Sequence, residues 1–181
     1  MARTVVGSAV VVREKYYWPD SILNIWFIVM LAATGTILGV NAQFMMIQSQ
    51  MRLGTPWIMP YGVSVGVIAL IFFAIMMALI SQRRLLPGVV MLFSFILLVL
   101  FIAGVVGTAM QLFGGNNVNN QCNRFVGNMK QYGANVNTLA WLQQQNICQC
   151  WQAVFAFYIV GSVFLVWMMF IAFNVNRNQY E

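Results

Sequence analysis

Four long apolar runs, separated by polar segments, dominate the pattern along this chain. Each run has about 20 or more residues, which is the length that an α-helix needs to cross the hydrocarbon core of a bilayer. Prolines or glycines lie at their boundaries, as Pro19 before the first, Pro87 before the third and Gly114 after it show. The pattern predicts membrane-spanning helices at residues 21–40, 61–80, 88–112 and 151–173.

The predicted spans leave an N-terminal arm at 1–20, a short loop at 81–87 and a tail at 174–181. The first long connection, 41–60, keeps a helical spacing of apolar residues. The first helix therefore continues to about residue 53, with Gly54 ending it, or a short amphipathic helix lies on the membrane surface; continuation is favoured.

The second long connection, 113–150, is rich in amides, with nine Asn and six Gln, and carries only two charges. Aromatic and aliphatic residues are interleaved with the amides, which favours a small folded cap over a disordered segment. A short helix is predicted across 138–148 of this cap. Its amide-rich surface either binds glycans or other copies of the chain, or only satisfies its own backbone and water.

Charge and composition indicate the class of protein and its orientation in the membrane. The chain is 61% hydrophobic and 7% charged with a net charge of +6, whereas soluble domains have about 25% charged residues. The basic residues lie near segment ends, which is typical of membrane orientation signals and not of a nucleic-acid partner. Arg83 and Arg84 in the short loop predict cytoplasmic termini. Trp18 at the inner surface and Trp57 and Trp151 at the outer one agree with aromatic belts.

The missing residue types exclude most chemistry. The chain has no histidine, and its only acids are Glu14, Asp20 and Glu181. General acid–base catalysis, proton relays and hydrolytic metal sites all depend on these residue types. We therefore expect no enzymatic activity, no metal and no cofactor, while bound lipids or sterol remain open. No polar stripe runs through a span, so we expect no conducting path within one subunit.

The three cysteines, Cys122, Cys148 and Cys150, all lie in the second long connection. This connection is predicted to lie outside the cytosol, where disulfides persist. Three cysteines without histidine are too few for the usual four zinc ligands. The sequence predicts a disulfide from Cys122 to either Cys148 or Cys150. The third cysteine forms an intermolecular bond or is a buried free thiol.

Small residues recur at a spacing of about four along the spans, which lets helix backbones approach closely in a membrane. The candidates for helix packing are Gly35, Gly39, Gly62, Gly66, Ala103, Gly104, Gly107 and Gly161. The pairs on the first three spans fall in the predicted outer half of the membrane; they are Gly35/Gly39, Gly62/Gly66 and Ala103/Gly107. Bulkier residues fill the predicted inner half. We expect a bundle that is tight outside and wider inside, where lipid tails or a partner helix enter.

Several segments resemble small four-span membrane proteins of filamentous fungi, with a loose MARVEL-type layout. The matching segments are YYWPDSILNIWF (16–27), QRRLLPG (82–88), NTLAWL (137–142), CWQAVFAF (150–157) and GSVFLVWMM (161–169). The chain lacks the Cys-Cys-Gly of tetraspanins and the cysteines of the claudin first loop. The resemblance implies a plasma-membrane or secretory-pathway location and supplies no catalytic residues.

The sequence therefore predicts an all-α integral membrane protein, a four-helix bundle with a small disulfide-stapled outer cap. The predicted function is a non-enzymatic scaffold that associates laterally with itself and organises the membrane. Two alternatives stay open, an accessory subunit of a larger membrane complex and a channel or transporter formed by oligomerisation.

Overall fold

The computed structural model describes residues 20–50, 52, 54–81, 87–114, 118–127 and 136–177. Nearly all of these residues are helical, and none of them is in a strand. The helices are α1 (Asp20–Gln50), α2 (Ile58–Ser81), α3 (Pro87–Phe113), α4 (Val118–Cys122) and α5 (Val136–Arg177), with a π-helical turn at Asn123–Gly127. The predicted N-terminal arm and short loop, with Trp18, Arg83 and Arg84, lie wholly or almost wholly outside the described residues. Of the predicted C-terminal tail, residues 174–177 belong to α5, which therefore runs past the predicted end of the span at 173, and the rest lies outside the described residues.

Four helices, α1, α2, α3 and α5, are long and apolar enough to cross a membrane by length and composition. The predicted all-helical class with four such helices is confirmed, and it is compatible with an integral membrane protein. Pro87 is the first residue of α3, where a missing N–H costs no helical hydrogen bond. Gly114 closes α3, and its N–H donates to the carbonyl of Met110 at 2.9 Å.

Helix α1 runs past the predicted span without a break, as the continuation alternative describes. Its end differs from the prediction, because Arg52, and not Gly54, takes the left-handed backbone at φ 53°. The Arg52 N–H donates to the carbonyl of Ser49 at 3.2 Å. A left-handed residue just beyond the last turn is a common way to satisfy helix carbonyls, although glycine is the usual choice.

Helix α5 joins two elements that the sequence reasoning separated. The predicted short cap helix at 138–148 and the predicted span at 151–173 are parts of one helix of 42 residues. At 1.5 Å per residue its length is about 63 Å, roughly twice the 30 Å of a bilayer core. Residues 136–150 of the amide-rich segment are therefore the beginning of a long helix that continues into the bundle.

The four long helices form a ring in which α1 contacts α2 and α5, and α3 contacts α2 and α5. Neighbouring helices run antiparallel. In α1 and α5, Trp26 near the start of α1 donates a hydrogen bond to the carbonyl of Phe164 in the later part of α5. Further along α1, Phe44 stacks on Trp151, which comes earlier in α5. The ends of α1 and α3 and the start of α2 lie at one end of this bundle, beside α4. We call it the disulfide end, for the bond between α4 and α5 described below.

Aromatic rings fill the other half of the bundle. Trp26, Phe27 and Phe73 are buried and meet edge to face at centroid distances of 5.2–6.3 Å. The Trp26 Nε1–H donates to the Phe164 carbonyl at 2.8 Å. Edge-to-face contacts stabilise by about 0.5–1.5 kcal/mol each beyond their buried area. Of the bulky residues on α2 and α5 in this half, some are buried in its interior and others are exposed; the buried ones are Phe72, Phe73, Met76 and Met168, and the exposed ones are Met77, Trp167 and Phe170. The expectation that this half is wider and admits lipid tails or a partner helix stays a prediction.

Candidate functional site

A reciprocal contact between rings and glycines joins α3 to α5. The Tyr158 ring of α5 covers Gly104 of α3, and the Phe101 ring of α3 covers Gly161 of α5. The two rings meet edge to face at 5.6 Å, and both side chains are fully buried. A Cβ at either glycine would overlap ring carbons, so only glycine allows this approach. We call these four residues the aromatic–glycine lock.

The remaining buried glycines bring α2 against its neighbours. A Cβ on Gly62 would lie 2.6 Å from the side chain of Asn41, and one on Gly66 would lie 2.9 Å from Leu38 Cβ. Gly107 of α3 is covered by Ile58 and Trp57, beside the first turn of α2. Asn41 is buried, and its Nδ2 donates to the Ile37 carbonyl at 2.7 Å.

Asn41 had not been singled out, because it begins the segment that was assigned to a loop. The signal for it was the helical spacing that continues past residue 40. The side-chain amide of Asn41 hydrogen-bonds within its own helix. In this conformation the side chain covers Gly62.

Gly35 and Gly39 of α1 behave differently from the buried glycines. Both are exposed, and no other part of the described chain lies within 4 Å of a Cβ built on either. Ala32 is exposed on the same side of the helix, one turn earlier. We call Ala32, Gly35 and Gly39 the α1 small face. Ala103 of α3 is also exposed, so the structure brings none of these four residues into the bundle core.

Large apolar residues border the α1 small face. Ile28 is 67% exposed just before it, and Met46 is 65% exposed about two turns after it. The hydroxyl of Thr36 beside it donates to the Ala32 carbonyl at 2.8 Å. The surface is therefore a shallow apolar depression with bulky ends, and its one neighbouring hydroxyl is satisfied by the helix itself.

The disulfide joins Cys122 of α4 to Cys148 of α5, with an S–S distance of 1.92 Å and a Cα–Cα distance of 6.0 Å. Cys150 is free and half-buried, and its Sγ lies 3.6 Å from Asn146 Oδ1 as donor. On a helix, residues two apart point about 200° away from each other. Cys148 therefore faces α4 and Cys150 does not, which decides between the two predicted pairings.

A groove lies beside this disulfide, between α5 and the segment of α4 and the π-helical turn. Its volume is about 340 Å³, and its lining residues are Val118, Gln121, Cys122, Val126, Gln144, Ile147, Cys148 and Trp151. The Trp141 Nε1–H donates to the Val126 carbonyl at 3.2 Å, which holds the π-helical turn against α5. We call this feature the disulfide groove.

The two predicted belt tryptophans at this end have different environments. Trp57 is 57% exposed and meets the Tyr61 ring at 6.1 Å. Trp151 is 8% exposed and stacks on Phe44 of α1 at 5.7 Å. Trp57 is therefore exposed at the surface of this end, whereas Trp151 forms a wall of the groove and ties α5 to α1.

Among the described residues, some buried hydroxyls inside the bundle are hydrogen-bonded and others are not. The Tyr61 hydroxyl donates to the Leu100 carbonyl of α3 at 2.8 Å. The Tyr158 hydroxyl, Thr34 and Ser94 are buried without a hydrogen-bond partner in the part of the chain that the structure describes. In the same residues no group of three or more His, Cys, Asp and Glu is close enough to hold a metal.

Comparison of the chain with protein-family models, with curated proteins and with solved structures gives no match.

Proposed function

We propose that this chain is an integral membrane protein that associates laterally with copies of itself through the α1 small face and so organises the membrane around it. The observation that carries the proposal is the contrast between two sets of glycines. Gly62, Gly66, Gly104, Gly107 and Gly161 pack against other parts of the chain, whereas Gly35 and Gly39 in the middle of α1 face outward with open space above them. Gly88 is also open, but it lies alone in the first turn of α3.

Open small residues matter in a bilayer for a specific reason. Lipid tails are as apolar as leucine, so helices there associate through close van der Waals packing and not through the hydrophobic effect. Two backbones can approach closely only where side chains are small. The α1 small face offers such a place, and Ile28 and Met46 at its ends are long enough to fill depressions on a second copy.

A non-enzymatic role is proposed from composition, since the chain has no histidine and three acids. A location in the plasma membrane or a secretory-pathway membrane, with both termini in the cytosol, is proposed from Arg83 and Arg84 and from the resemblance to four-span fungal proteins. Lipids and further copies of the chain are the proposed partners.

The test compares leucine substitutions on two outward faces. Gly35→Leu with Gly39→Leu should convert an oligomer of the purified protein in mild detergent to a smaller species, measured by native mass spectrometry. Ala103→Leu is the matched control, because it enlarges an exposed small residue on α3. An unchanged oligomer in the α1 variant, or its loss in the control variant, would contradict this interface.

Two other outcomes would replace the proposal. Co-purification of a different membrane protein in fixed stoichiometry, with no homo-oligomer, would identify an accessory subunit. Ion or solute flux through purified protein in liposomes, lost in the α1 variant, would identify a channel or transporter formed by oligomerisation.

A further inference from the structure

The disulfide groove lies where the sequence of α5 changes from amide-rich to apolar. Before residue 152 the helix carries many amides, with Gln143, Gln144, Asn146 and Gln149 exposed; after it the sequence is apolar as far as Phe173. In a chain whose long helices cross a membrane, this change marks the level of the membrane surface. Trp151, at the base of the groove, lies at that level. The groove therefore opens at the boundary between headgroups and hydrocarbon.

Its lining has the composition of a site for an uncharged amphiphile. Val118, Val126, Ile147 and Trp151 supply apolar contact, and no lining side chain is charged. Gln121 and Gln144 are exposed at the rim, where their amides can donate to and accept from a hydroxyl. Ligand sites commonly combine apolar walls with a few polar groups that fix the orientation.

The size of the groove is compatible with part of a small ligand. The groove holds about 340 Å³, which is at the small end of the range for ligand pockets. At the membrane surface the apolar molecules present in excess are lipids, so a lipid covers these walls at the lowest cost.

We propose that the disulfide groove binds one neutral lipid with a hydroxyl head, of the sterol or diacylglycerol kind, with the head at Gln121 and Gln144. The apolar body lies along Ile147 and Trp151 and continues into the bilayer. The Cys122–Cys148 bond maintains the site, because it ties the α4 wall to the α5 wall. This inference rests on the proposed membrane location and is independent of self-association.

The test uses the full chain in phosphatidylcholine vesicles that contain a photoreactive sterol or a photoreactive diacylglycerol. After illumination, mass spectrometry should find adducts at residues 118–127 and 144–151. Both probes labelling the groove, or one of them alone, supports the proposal and identifies the lipid. Equal labelling by a photoreactive phosphatidylcholine, or adducts spread over the outward faces of α1, α2 and α3, would overturn it.

Two variants give a matched comparison. Ile147→Trp fills the groove and should lower sterol or diacylglycerol adducts by about tenfold, a change that corresponds to 1.4 kcal/mol of affinity. Leu142→Trp is the control, because Leu142 is exposed to a similar degree on the same helix but does not line the groove. An intact disulfide, seen as an unchanged mass shift on reduction and alkylation, shows that the first variant still folds.

A third arm tests the role of the disulfide. Cys122→Ser with Cys148→Ser should lose the adducts although Ile147 and Trp151 remain, whereas Cys150→Ser should keep them. Adducts that persist in the double variant, or that survive Ile147→Trp, would show that the groove is not the binding site. Loss of oligomers in the Gly35 and Gly39 variant leaves the adducts unchanged, so failure of one proposal is distinguishable from failure of the other.

Discussion

At the scale of single residues, the same amino acid has opposite roles in this bundle. Gly104 and Gly161 each lie under an aromatic ring of the facing helix, and Gly35 and Gly39 lie under nothing. The difference is in direction around the helix and not in spacing along it. Substitutions at the two kinds of glycine should therefore have different effects, the first on folding and the second on association.

Gly104→Ala should destabilise the folded chain by about 1–3 kcal/mol, because the added methyl overlaps the Tyr158 ring and a packed core absorbs extra volume poorly. The measurement is unfolding in mixed micelles followed by circular dichroism. Gly88→Ala is the control, since no atom lies within 4 Å of a Cβ at Gly88. Helix propensity alone favours alanine over glycine, so it should leave both variants as stable as the wild type or more so. Equal destabilisation by both changes would therefore contradict a specific role of the lock.

A pair of tyrosine substitutions tests the unevenly satisfied hydroxyls. Tyr61→Phe removes a hydrogen bond to the Leu100 carbonyl and should cost about 0.5–1.5 kcal/mol. Tyr158→Phe removes a buried hydroxyl without a described partner and should be neutral or stabilising. The same unfolding measurement serves for both. A larger cost for Tyr158→Phe would reveal a partner, such as a bound water, for that hydroxyl.

The direction of each glycine could not be predicted from the sequence, for a physical reason. In a soluble bundle a polar face marks the outside of a helix, but in lipid both the core and the surroundings are apolar. Gly35 lies between Thr34 and Thr36, and Gly104 lies between Ala103 and Val105, so no charged neighbour marks either side of the helix. The spacing identified candidates for close approach, and only the three-dimensional arrangement separated the inward from the outward ones.

At the scale of elements, α5 is the feature that changes the interpretation most. It is a single helix from Val136 to Arg177, and its first part holds one partner of the disulfide. The sequence contains the signal for this continuity, since neither glycine nor proline occurs between residues 134 and 160. The change from amides to apolar residues near residue 152 was interpreted as a boundary between elements, although it marks a change of surroundings along one element.

The four long helices were predictable because each contains an apolar run long enough to span, and hydropathy alone decides that. The choice between Cys148 and Cys150 was not predictable while the segment was treated as a short cap helix of unknown placement. Once α5 is known to be continuous and to face α4, the periodicity of the helix selects Cys148.

The disulfide gives an element-scale prediction. Cys122→Ser with Cys148→Ser should lower the free energy of unfolding by about 3 kcal/mol, because the bond closes a loop with a sequence separation of 26. Hydrogen exchange of residues 118–127 should become faster in the same variant. Cys150→Ser, which breaks no bond of the fold, should stay within about 0.5 kcal/mol of the wild type. Similar losses in both variants would argue against a structural role of the pairing.

At the scale of the whole molecule, the bundle is a ring of four antiparallel helices in which two extend well beyond a bilayer core. Helix α5, at about 63 Å, cannot lie within 30 Å of hydrocarbon even with a strong tilt. In the proposed membrane placement, the disulfide end, with the groove and the amide-rich start of α5, projects from one surface. The choice of surface is predicted from the excess of basic residues on the side of the termini, with Arg83 and Arg84 as the clearest signal.

Cysteine accessibility in intact cells tests this placement. In a Cys150→Ser background, Leu142→Cys should react with a membrane-impermeant maleimide added outside, whereas Val163→Cys should not react. Both positions are exposed on α5, at 48% and 59%, so burial within the chain does not explain the difference. Reaction of position 142 only after permeabilisation would reverse the proposed orientation, and reaction of position 163 would contradict a span at that depth.

The aromatic–glycine lock has a mechanical consequence. Because Phe101 and Tyr158 each occupy a notch in the opposing helix, sliding α5 along α3 by even one residue would drive both rings into backbone or side chains. Helices α3 and α5 can therefore tilt together but cannot slide along each other. We therefore expect a force on the start of α5 to be transmitted to α3, because the lock couples the two helices.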